Sequence, residues 1–183
     1  MVEKMNEIQK TKNGIEKYLK IMDLVGKTNV AENEEFQHLF NGFYQVRRNK
    51  NWRDAFYSLL EEKKGKKPSI EEVMTYLAEN TQRKSVELSF ASKLLHTLDP
   101  TKPIYDKKVA TFLRLESPPA YWSKEAKMKR QISNYNAIVE WYKTPQSKTY
   151  VGLFDKMFPE YREVVGEVKK IDFIIWRELS VVD

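Results

Sequence analysis

The chain has 183 residues, a formal net charge of +6 and no cysteine. That length can bury a sizeable core without covalent staples, and the missing cysteines exclude disulfides, thiolate metal centres and cysteine nucleophiles. The two histidines, His38 and His96, lie too far apart for an HExxH-type pair, so neither a metal nor a cofactor is expected. Only six glycines and seven prolines interrupt the chain. Between them apolar residues recur at i, i+3 and i+4, the spacing of helices and not of strands, so the reading is an all-α fold.

In chain order the spacing predicts helices over 4–25, 32–48, 52–64 and 69–79. Ser69 with Glu72 three residues later fits a capping box at the start of the fourth. "KKGKKPS" is the clearest linker, so the expectation is a single domain with a division into two lobes near 62–69. Further helices are predicted over 86–98, 106–114, 123–143, 147–158 and 166–179. Pro118-Pro119 separates the sixth from the seventh, and Ser123 can open the latter. The β-branched clusters at 164–165 and 173–175 leave room for a minor strand.

The segment "SFASKLLHTLDPTKPIYDKKVATFL", residues 89–113, resembles the part of helix-hairpin-helix base-excision DNA glycosylases in which an Ala-Ser helix leads through a turn to an aspartate opening the next helix. The resemblance covers these 25 residues. It implies a compact orthogonal multi-helix bundle, DNA as partner and Asp106 as the catalytic carboxylate. Breaking an N-glycosidic bond builds positive charge on the sugar, and a nearby carboxylate stabilises that charge or helps a water attack. The dipole and free amides at a helix start are expected to keep such an acid ionised. The same residue in the same place is also what an N-cap requires, so the two readings stand side by side.

Two departures from the family pattern bear on mechanism. Bifunctional members carry a lysine two residues before the Ala-Ser pair, where this chain has Ser89, so hydrolysis without lyase chemistry is implied. Lys93 is near in sequence, but its position differs from the motif's. The glycine-rich hairpin is also missing from "ENTQRKSVELS", leaving Arg83 and Lys84 to grip phosphate. Lys107 and Lys108 would position the backbone, and Phe90, Tyr105 and Trp122 would line a pocket for a flipped base.

Elsewhere, "FYQVRRNKNWRDAFYSLLEEKKGKK" interleaves aromatics with Arg47 and Arg48, a pattern that suits stacking and phosphate contact but equally a core face with solvated cations. Lys129 and Arg130 fall near the start of a helix, where cations are slightly disfavoured, which hints at an external anion. The terminal helix is expected to pack Trp176 on the core, with Asp172 as partner for an arginine. Asp155 with Glu167, Val168 and Lys169 has the residue order of metal-dependent nucleases, but such sets sit on β-hairpins, and this one is set aside.

The basic balance favours acidic partners through counterion release. The N-terminus lacks a signal-type apolar run and no later window could span a membrane, so a cytoplasmic location is expected. The functional expectation is a DNA-binding, monofunctional glycosylase-like protein. The alternative is a module that binds nucleic acid or a protein partner with that chemistry lost. Substrate base, oligomeric state and pathway are not written in the sequence.

Overall fold

The computed structural model describes residues 2–81 and 85–179. All regular structure among them is helical: α1 (Val2–Lys27), α2 (Glu34–Tyr44), α3 (Lys50–Glu62), α4 (Ile70–Asn80), α5 (Leu88–Leu98), α6 (Lys107–Phe112), α7 (Lys124–Trp141), α8 (Pro145–Met157), a 3-10 turn at Pro159–Tyr161 and α9 (Glu167–Glu178). The minor strand allowed for at 164–165 or 173–175 is not formed. Residues 164–165 lie in a turn and 173–175 inside α9, where four-residue apolar spacing outweighs the β-branched content. The chain divides into two compact units, Met1–Lys66 and Lys67–Asp183.

Helix starts follow from local chemistry. Asn33, Asn49, Ser69, Asp106, Ser123 and Thr144 are all N-caps, each side chain accepting the amide three residues on. Every such cap satisfies one orphan amide and contributes about 1 kcal/mol. Helix α5 has no cap of its own. Gln131 of α7 supplies one instead, accepting from the Leu88 amide at 3.0 Å and donating to the Val86 carbonyl at 3.3 Å.

In the first unit Phe36, Phe40, Phe56 and Tyr57 are fully enclosed between α2 and α3, with Ile15 and Ile21 buried on α1. Their rings meet edge-on or tilted at 5.4–5.9 Å, the arrangement that aromatic quadrupoles prefer. Tyr57 directs its hydroxyl to Asn41 Oδ1 at 2.7 Å. The α3 end is tied back to the α1–α2 turn, where Glu61 accepts from the Val30 amide and Lys64 donates to the Thr28 carbonyl.

In the second unit α9 packs on α8 and α6, and α4 on α5 and α7. Val109, Ile138, Tyr142, Ile171 and Ile175 form a core that joins α6, the end of α7 and α9. Phe112, Trp141 and Tyr150 close over it edge to face. Short α6 is thus clamped by its buried side, which fixes where its first residues point.

Candidate functional site around Asp106

The turn between α5 and α6 is built from its own polar residues. Asp99 Oδ1 accepts from both the amide and the hydroxyl of Thr101, and the Lys102 amide closes on the Asp99 carbonyl. Pro100 and Pro103 then forbid helix, so the chain runs extended through Ile104 and Tyr105. Ser92 Oγ holds that extended piece to α5 by accepting the Tyr105 amide at 2.9 Å. His96, fully buried on α5, grips the same turn through Nδ1–H to the Lys102 carbonyl at 2.7 Å. Burial and the nearby Lys169 ammonium push its pKa down to about 3, which keeps the ring neutral.

Asp106 arrives at the α6 start with both oxygens engaged. Oδ1 accepts the Val109 amide at 2.8 Å and Oδ2 accepts the indole N–H of Trp176. The residue is 9% exposed. Burial, followed by the Asp172 carboxylate, raises its pKa, and the two donors and the Lys93 ammonium offset this only in part. Desolvation here outweighs the favourable amides of the helix start.

Around it sits a buried polar set that local sequence reasoning missed. Asp172 accepts from the Tyr142 hydroxyl at 2.8 Å and from Lys169 Nζ at 3.1 Å, so its basic partner is a lysine one turn earlier and not an arginine. Lys93 is buried on α5, its ammonium donating to Ser89 Oγ at 2.8 Å and lying 5.2 Å from the Phe90 ring centre. An amine therefore reaches the very hydroxyl that stands where the resembled family has its lysine. The i, i+4 spacing of Ser89 and Lys93 is the signal that would have found it.

The expected DNA-contacting residues fall into different settings. Lys107 is exposed, and Lys108 lies over the Trp176 ring at 5.0 Å while donating to the Trp176 carbonyl. Trp176 is 41% exposed, not packed away as the terminal-helix pattern suggested, while its N–H donates to Asp106. Lys129 pairs with Glu125 at 2.7 Å and Arg130 with Glu116 at 3.3 Å. Arg47 and Arg48 belong to the first unit, Arg47 exposed and Arg48 placed 5.7 Å from the Trp52 ring. Arg83 and Lys84 lie outside the described residues.

The three aromatics expected around a base are each held differently. Phe90 sits under the Lys93 ammonium, and Tyr105 packs against the core around Val109 and Ile138. Trp122 is 36% exposed beside Tyr121, itself 87% exposed, on a loop latched by Lys127 to the Ala120 carbonyl. The nuclease-like set is dispersed: Asp155 pairs with Lys170, Glu167 with Lys148 and Lys169 with Asp172. Among the described residues no three acids or histidines are grouped as a metal would require. No described helix is long and apolar enough to cross a membrane.

Compared with known proteins, the chain matches no protein-family model, no curated protein and no solved structure.

Proposed function

We propose that the chain is a nucleic-acid-binding helical protein, glycosylase-like in its α5–α6 segment, in which Asp106 braces the fold and hydrolysis has been lost. The observation that carries the reading is the rim of α6. There the Lys108 ammonium lies over the half-exposed Trp176 ring at 5.0 Å, a cation–aromatic pairing suited to phosphate and base, and the preceding Lys107 is exposed on the same short helix. The net charge of +6 acts in the same direction. The choice of binding over hydrolysis rests on the Asp106 carboxylate. A group that stabilises a sugar cation or positions a water must face substrate, and here Asp106 is buried with each oxygen accepting a bond from the protein.

A hydrolytic reading draws on one observation of its own. Burial and Asp172 raise the Asp106 pKa, with Lys93 close enough to oppose them, and a perturbed acid beside a cation is a common mark of catalytic sites. Retention of DNA on the purified chain at low salt, together with abasic-site release from a panel of damaged duplexes, separates the two. The binding reading expects salt-dependent retention that Asp106→Asn preserves, with no abasic sites. Excision by the wild type that disappears in Asp106→Asn would establish hydrolysis, and no retention at low salt would reject both.

A further inference from the structure

Along α1 the residues Asn6, Gln9, Lys10, Asn13 and Lys17 recur at three- and four-residue intervals and share one side of the helix. They line an open groove of about 450 Å³ whose opposite wall is α2 at Gly42 and Phe43. The size suits a nucleotide-sized ligand.

The groove's lining contains two lysines and no acid. Glu7, the acid nearest to it in the ion-pair pattern, approaches Lys10 at 3.8 Å, and among the described residues no carboxylate pairs with Lys17. The carboxamides are bonded to each other. Gln9 Nε2 donates to Asn13 Oδ1 at 2.9 Å, which leaves Gln9 Oε1 as an acceptor and Asn13 Nδ2 as a donor on the same side of α1. That donor–acceptor pair complements the edge of a nucleobase, which presents one of each.

The far wall is open at Gly42. Gly42 lies inside α2, where glycine weakens a helix relative to alanine, yet a Cβ there would meet nothing within 4 Å. A side chain placed there would enter the groove without touching the rest of the chain. Next to it Phe43 is half-buried and fixed by the Tyr18 ring at 6.2 Å and the Tyr44 ring at 4.7 Å, so it offers a rigid apolar surface at the groove.

From these features we infer that the α1–α2 groove is a single-strand nucleotide site: phosphates against Lys10 and Lys17, a base edge on the Gln9–Asn13 amide pair, and the unpaired base against Phe43 over the bare Gly42 backbone. The inference rests on the reading of the chain as a nucleic-acid binder and names where, and in which form, it holds the strand. Cations alone would suit any anion, whereas the paired amides and the aromatic wall single out a nucleotide.

The test is fluorescence anisotropy of the full chain with a labelled single-stranded oligodeoxyadenylate, with the matching duplex, free AMP and polyglutamate as competitors. Gly42→Leu fills the groove with a better helix former, so melting temperature should hold or rise while single-strand affinity falls about tenfold or more. Lys10→Gln with Lys17→Gln should lower the salt slope by about 0.7 for each phosphate that is no longer neutralised. Unchanged affinity in Gly42→Leu, with wild-type binding intact, would overturn the groove assignment alone. Absence of any wild-type DNA binding at low salt would remove the functional reading beneath it. Competition by AMP as effective as by the strand would overturn the strand assignment, and equal competition by polyglutamate would overturn nucleotide recognition.

Discussion

The indole N–H of Trp176 donates to Oδ2 of Asp106, joining α9 to the first turn of α6 across 70 positions of sequence. The carboxylate is thereby a local cap and a long-range tie at once. Asp106→Ala removes both bonds and is expected to cost about 2 kcal/mol, a cap plus one further hydrogen bond. Asp106→Asn keeps one good acceptor and is expected to cost about 1 kcal/mol, as is Trp176→Phe. Urea unfolding of the two singles and the Asp106→Ala/Trp176→Phe double measures the coupling. Strict additivity would mean that the indole hydrogen bond contributes nothing.

His96 and Asp106 give stability opposite dependences on pH. The folded protein binds protons less readily than the unfolded chain at His96, whose pKa falls from the ordinary 6.5 to about 3. Its contribution is complete above about 6.5 and is lost progressively as pH falls toward 3, several kcal/mol at about 1.4 per pKa unit. Asp106 is raised, so it favours folding most below the ordinary carboxylate value, and that contribution fades as pH rises through its folded pKa. Thermal melts across this range should therefore flatten on the acid side in His96→Gln. In Asp106→Asn the loss with rising pH should vanish. A His96→Gln profile that tracks the wild type would contradict the first assignment.

Two buried tyrosines predict opposite outcomes for the same substitution. The Tyr142 hydroxyl donates to Asp172, and Tyr142→Phe leaves that buried oxygen with one partner fewer, at a cost of about 1–3 kcal/mol. The Tyr135 hydroxyl is buried without a hydrogen-bond partner among the described residues, so Tyr135→Phe should be neutral or stabilising by up to about 1 kcal/mol. Chemical denaturation of both variants checks the pair. Equal destabilisation would mean that the Tyr135 hydroxyl has a partner in solution.

Gln45 closes α2 in the left-handed region at φ 52, its amide reaching the Asn41 carbonyl. A side chain is strained there and glycine is not, so Gln45→Gly should stabilise by about 0.5–1 kcal/mol. An unchanged or lowered melting temperature would show that the Gln45 side chain makes a compensating interaction.

Much of this architecture is local and was legible in the sequence. Ser69, Ser123 and Asp106 cap where their residue types say they should, and the helix ends fall within a few residues of the spacing. What could not be read is set by packing between helices. Lys169 and Asp172 look like ordinary surface residues of an amphipathic helix, yet α8 and α6 cover that side of α9 and bury both. Trp176 has the profile of a core residue but stays half-exposed while its indole N–H reaches in to the buried Asp106. The approach of Lys93 to Ser89 needed only helical spacing, and matching a motif position by position hid it.

The enclosed Lys93, Lys169, Asp106 and Asp172 comprise two ammonium and two carboxylate groups, formally balanced without any counterion from solvent. Changing Lys169 or Asp172 alone strands its ion-pair partner in a medium that tolerates no odd charge, at a cost of about 3–5 kcal/mol, whereas changing both together does not. Drift in descendants of this chain should accordingly pass through coupled replacements at these positions, and a survey of its diverged copies would show them as covarying pairs.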